Sequence, residues 1–260
     1  MEIKNLSWNE NVTNKNNHPL LLKSLQGLIV GKSGCVKTTL LLNLLLRPGW
    51  LDYSKLSVFG KSLFQPEYKI LKKGFEEHLP KEMIMRVLEN RDEIMWEQIS
   101  PNQLIEELAK NQKTRSKELI ECNFYESADD VPDPKEISPE HKNLMIFDDL
   151  LLQKQNKCDA YYVRGRHSNC DCLYLSQNYF KLPRQAIREN ANFFCLFPQD
   201  QKNIDHIFND HMSLDMMKEQ FKKLCKHAWS KPHNFFDIDL TSPKNYGKYR
   251  SGFDDFYIIE

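Results

Sequence analysis

Between a short apolar run, Leu25 to Val30, and a leucine-rich run that starts at Thr38 lie eight residues, Gly31-Lys32-Ser33-Gly34-Cys35-Val36-Lys37-Thr38. A buried strand that turns through glycines into a helix aims several backbone N–H groups at one point, and a helix N-terminus adds its partial positive charge. That is the design of a phosphate-binding loop, G-x-x-x-x-G-K-[ST]. One position departs from the pattern: Val36 stands where the glycine before the lysine belongs. Glycine serves there because the chain takes positive φ or approaches the ligand closely. A β-branched residue in that shape carries strain of about 1–3 kcal/mol. The residue types assign Gly31, Lys32, Ser33, Gly34, Cys35, Val36, Lys37, Thr38 and Thr39 to a nucleotide's phosphates. Lys37 would reach the terminal phosphates, and the Thr38 hydroxyl would hold a magnesium ion. ATP and Mg²⁺ are the expected cofactors.

The rest of the chain reads as strands alternating with helices. Lys55 to Phe59, Leu144 to Phe147, Cys170 to Leu175 and Phe193 to Phe197 are apolar strands. Helical stretches are expected at Thr38 to Leu46, Pro66 to about Glu77, Lys81 to Gln98, Pro101 to Ala109, Gln153 to Val163, Pro183 to Asn190, Gln199 to Phe208 and Ser213 to His227. Short uniformly apolar strands suit a parallel sheet covered on both faces. The predicted fold is an α/β three-layer sandwich of the P-loop NTPase type with a mainly parallel sheet. Phe235 to Leu240 and Asp255 to Ile259 add a short β extension, read as an edge hairpin. Residues 1–17, rich in asparagine and charge, are expected to form a flexible arm, and 18–260 one domain. Within it, about 111–143 reads as a polar surface insertion.

A second group of residues sits at strand tips. Asp148-Asp149 follow the strand at Leu144, where Asp148 can bind the magnesium and Asp149 can polarise an attacking water. Ser176-Gln177 end the strand at Cys170. Gln177 either senses the γ-phosphate and its water or satisfies loop backbone, and the residues leave both open. Arg164-Gly165-Arg166-His167 supply two guanidiniums, either a solvated helix end or an arginine finger acting on a neighbour. His167, Cys170 and Cys172 suggest zinc, but Cys170 and Cys172 share one face of a central strand and no fourth ligand is near, so core thiols are expected. Lys222-Lys223 and Lys226-His227 read as a solvated helix end, with a DNA contact as the minority reading.

Composition limits the remaining classes. Lysine plus arginine equals aspartate plus glutamate at 36 each, so no overall positive field marks a nucleic-acid partner. The longest apolar run, Leu40 to Leu46, is too short to span a bilayer, and no signal-peptide core precedes it. Seven cysteines without scaffold spacing fit a reducing compartment. The expectation is a soluble intracellular chain without a membrane partner.

Taken in order, the loop, the paired acids, Arg164-Gly165-Arg166-His167 and Tyr174-Leu175-Ser176-Gln177 resemble the poxvirus-type DNA-packaging ATPases. These are P-loop motors of the FtsK–HerA group, carried also by Polinton-like elements and related viruses. The likeness spans about Pro19 to Phe197 and includes the segments Val58 to Tyr68 and Leu175 to Pro183. It implies a homo-oligomeric ring that hydrolyses ATP to drive double-stranded DNA into a capsid, with a capsid or portal component as partner. By position it implies Lys37 and Thr38 in the phosphate loop, Asp148 and Asp149 as magnesium-binding and catalytic acids, and Gln177 as sensor. Arg164 or Arg166 becomes the finger. Val36 leaves two rivals: a degenerate or inert nucleotide-binding remnant and, less in keeping with the acids and glutamine, a P-loop kinase.

Overall fold

The computed structural model describes residues 18–90, 100–110, 116 and 119–259. The expected arm 1–17 and the second half of the helix expected over 81–98 lie outside them. Strand β1 (Gln26–Val30) leads through the loop into helix α1 (Lys37–Leu46). Then come β2 (Lys55–Gly60), α2 (Pro66–Glu76), α3 (Lys81–Glu89), α4 (Pro101–Lys110), β3 (Glu121–Tyr125) and β4 (Asn143–Asp148). Helix α5 (Asn156–Arg164), β5 (Cys170–Ser176), β6 (Phe193–Leu196), α6 (Gln201–Ile207) and α7 (Lys218–Ala228) follow. Strands β7 (Phe236–Asp239), β8 (Tyr249–Ser251) and β9 (Asp255–Phe256) close the chain.

Among the described residues the strands form one nine-stranded sheet in the order β3-β2-β4-β5-β1-β6-β7-β8-β9. The run from β3 to β6 is parallel, and β7 to β9 are antiparallel. Alternating side chains feed two apolar layers. Ile29, Val58, Ile146 and Leu175 pack with α1 to α4, whereas Leu28, Phe147, Tyr174 and Phe194 pack with α5 to α7. This is the three-layer P-loop sandwich. No helix among the described residues is long and apolar enough to cross a membrane.

Register decides what meets at the carboxyl ends. Val30 pairs with Ser176 and Leu196, Asp148 with Leu175, and Gly60 with Asp148. The tips of β1, β2, β4 and β5 therefore end at one level. A crevice outside the carboxyl ends of parallel strands is where such sheets bind ligands. Helix α1 starts in that crevice without a side-chain cap, and Leu41, Leu42, Leu44, Leu45 and Leu46 bury its inner face.

Several elements differ from the sequence expectation: the helix expected over Pro183 to Asn190 is a five-residue π turn, Arg184–Arg188, and the one expected over Ser213 to His227 begins at Lys218. Within 111–143 the chain forms β3, which extends the parallel edge, and two single 3-10 turns. Polar Glu121 and Asn123 alternate with Cys122 and Phe124, and only the latter pair packs on the core, so an edge strand reads as polar sequence. The C-terminal extension has three strands, because β8 lies between the two expected ones. Its centre is Arg250, a buried cation bonded to Asp237, Asp239 and the Leu20 carbonyl, which disguises the strand as charged loop. Helix α5 begins at Asn156 rather than Gln153, since the Gln155 side chain ties down the carbonyls of Leu150 and Gln153.

Candidate nucleotide site

The loop between β1 and α1 takes its shape from two glycines and one strained residue. A side chain at Gly31 would lie 2.4 Å from Cys35 Sγ and 2.7 Å from Phe197 Cβ. Gly34 has φ of 77° with open space around it, so conformation alone requires glycine. Val36 has φ 61° and ψ 24°, the left-handed shape that the glycine-before-lysine position demands. The valine has not unmade the loop: its carbonyl accepts from Leu40 N at 3.0 Å and opens α1. Its half-buried side chain packs against the α1-side core, which offsets part of the strain.

Lys37 turns back into the loop, where its ammonium donates to the carbonyls of Gly31 at 2.6 Å and Lys32 at 2.9 Å. The Gly31 N–H donates to Ser176 O at 3.0 Å, fixing the loop to the tip of β5. Asp148 ends β4 and is 8% exposed. Burial holds its carboxyl above the usual range, opposed by a hydrogen bond from the Tyr68 phenol at 2.7 Å. Asp149, next along, is also left-handed at φ 52°. Its backbone N–H donates to Leu175 O, and its carboxylate accepts from Gln177 Nε2 at 2.6 Å. An acid forced into an unusual backbone shape at a strand tip is the kind of strain that clusters at working sites.

These groups face one cleft of about 400 Å³, lined by Ser33, Gly34, Cys35, Val36, Lys37, Thr38 and Thr39 together with Asp148, Asp149 and Gln177. Gly31 and Lys32 serve it from beneath, through the carbonyls that hold Lys37. Thr38 and Asp148 offer hard oxygen donors, the set that suits magnesium shared with phosphate oxygens. Among the described residues no three or more His, Cys, Asp or Glu could hold a metal by themselves. Cys170 and Cys172 are buried free thiols in β5.

Arg164 and Arg166 are not part of this cleft. They are exposed and precede β5, whereas Gln177 follows it. Seven residues of strand put them roughly 20 Å away, at the opposite end of the sheet. Conversely, Ser62, Gln65 and Glu67 line the cleft, and Tyr68 touches Asp148. None of these four has a site role in the sequence reading. The signal available was Pro66, which starts α2 and sets the preceding loop at the tip of β2; that β2 neighbours β4 is a fact of topology.

Gln177 is anchored from behind. Two residues on, buried Tyr179 donates to Asp210 Oδ2 at 3.0 Å and meets His211 Nε2 at 2.9 Å. Buried Arg188 pairs with Asp210 at 3.0 Å. Arg188 and Asp210-His211 lie on two separate π-helical turns, Arg184–Arg188 and Phe208–Met212.

The cleft thus lies at the carboxyl end of the parallel sheet, beside the start of α1. Similar solved structures include the genome packaging NTPase B204 from Sulfolobus turreted icosahedral virus 2 in complex with AMPPCP, at 9% identity and TM-score 0.48, covering 84% of this chain and 93% of that one. B204, the DNA-packaging ATPase from Sulfolobus turreted icosahedral virus, matches at 12% and 0.47 over 83% and 92%. VirB4 of Thermoanaerobacter pseudethanolicus matches at 9% and 0.45 over 83% and 87%. Likenesses this distant carry no residue roles across. No protein-family model and no curated protein matches the sequence.

Two predictions follow from the packing. Gly31→Ala, which meets Phe197 and Cys35, should cost about 1–3 kcal/mol, and Gly34→Ala about 1–2 kcal/mol from conformation alone, both read by denaturant unfolding. Burial lowers the His211 imidazole from its ordinary 6.5 to about 4. Between those values the unfolded chain binds the proton and the folded chain does not, so this group removes stability as pH falls, on the order of 3 kcal/mol. His211→Gln should therefore lose less stability than the native chain between pH 7 and pH 4 in matched unfolding curves.

Proposed function

We propose that this chain is a magnesium-dependent ATPase that translocates double-stranded DNA in the manner of a viral or mobile-element packaging motor. The observation that carries the hydrolytic part is the convergence of Lys37, Thr38, Asp148, Asp149 and Gln177 on one cleft from three separate strand ends. Lys37 leaves its loop carbonyls for the β- and γ-phosphates. Backbone N–H groups at the start of α1 take the remaining phosphate charge. Thr38 and Asp148 would hold magnesium, which would neutralise phosphate charge. Asp149 accepts the proton of the attacking water, while the Gln177 amide fixes which way that carboxylate faces.

The DNA-translocating part rests on the resemblance of Val58 to Tyr68 and Leu175 to Pro183, in order around the same site, to the packaging motors. In a homo-oligomeric ring, exposed Arg164 or Arg166 serves the nucleotide of an adjacent subunit, a role in keeping with its distance from its own cleft. A capsid or portal component completes the assembly. Retention of the left-handed shape at Val36 weighs against the inert remnant.

Purified protein should release phosphate from ATP only with Mg²⁺, and faster with double-stranded DNA. Lys37→Ala and Asp149→Asn should each lower the rate about a hundredfold or more. Absence of hydrolysis under all these conditions overturns the enzymatic reading, and ADP formed only when a nucleoside acceptor is added replaces it with a kinase.

A further inference from the structure

Tyr68 lies in the first turn of α2 with no exposed surface, its ring in the apolar layer shared with α1. Its phenol donates to Asp148 Oδ2 at 2.7 Å. A phenol has one proton to give, and here it points at the carboxylate. Asp148 has one carboxylate oxygen engaged, which leaves the other for a cation.

We infer that Tyr68 is a positioning residue for magnesium, orienting the Asp148 carboxylate through its phenol. The inference rests on the nucleotide reading above and adds a residue that touches neither phosphate nor the attacking water. Groups that orient metal ligands from behind control metal affinity nearly as strongly as the ligands do, with losses of about 10–100-fold when removed. The position in the fold makes this specific. Tyr68 comes from the helix after β2, so the register that sets Gly60 beside Asp148 also delivers the phenol.

The test is a titration of the full chain with a fluorescent ATP analogue, in EDTA and in Mg²⁺, for the native protein, Tyr68→Phe, Asp148→Asn and the double variant. Phenylalanine keeps the buried ring and removes the hydroxyl. Affinity in EDTA should stay within about twofold of native, while the strengthening produced by Mg²⁺ should shrink about tenfold or more. In the Asp148→Asn background the same change should have much less effect, because the phenol acts through that carboxylate. The double variant also removes the buried charge together with its donor, a pairing that is tolerated better than losing one partner. It thus supplies a folded reference. Full retention of the magnesium effect in Tyr68→Phe overturns the inference alone. So does an equal loss of affinity with and without Mg²⁺, which marks a structural role. A native chain whose nucleotide binding ignores Mg²⁺ overturns the nucleotide reading and this inference together.

Discussion

The left-handed turn at Val36 is the constraint on which the site depends. The turn from β1 into α1 keeps its shape only if the residue before Lys37 takes positive φ, and here a β-branched side chain does so at about 1–3 kcal/mol of strain. The opposing force is apolar packing. Five leucines of α1 are buried against β1 and its neighbours, each contributing about 1.5–3 kcal/mol as an upper estimate. Packing of that size holds the helix start in place whatever stands at position 36. The valine therefore bends to the loop, and its own half-buried methyl groups return part of the cost.

From that fixed point the site is assembled by register. β1 lies between β5 and β6, and β4 lies between β5 and β2, so residues far apart in the chain end at one level. Ser176 holds the loop, Gln177 holds Asp149, and Tyr68 holds Asp148. Each is a short bond made at the tip of a neighbouring strand. The cleft is polar and the layers beneath it are apolar, which is how a rigid sheet presents groups that bind charge.

Much of this was readable in the sequence. The apolar runs gave β1, β2, β4, β5 and β6, because strands buried on both faces need no alternation, and the loop and acids stood out by residue type. What escaped had a physical cause. β3 is an edge strand whose outward face is polar, and β8 is a three-residue strand around a buried arginine whose partners, Asp237 and Asp239, are not adjacent to it in sequence. Tyr68 was hidden for the same reason. A tyrosine in a helix reads as core until the sheet order puts Asp148 beside it. Arg164 and Arg166 were legible only as two open readings, a solvated helix end or a finger for a neighbour, and their exposed place at the far end of β5 leaves them outside their own cleft.

On the proposed function, Val36 strains the β1–α1 loop without disabling it. Calorimetric titration of MgATP into the native chain and into Val36→Gly tests this most directly. Because the native backbone already has the glycine-like shape, native protein should bind, with an affinity within about tenfold of Val36→Gly, the equivalent of about 1.4 kcal/mol. No measurable binding by the native chain, together with clear binding by Val36→Gly, would contradict it.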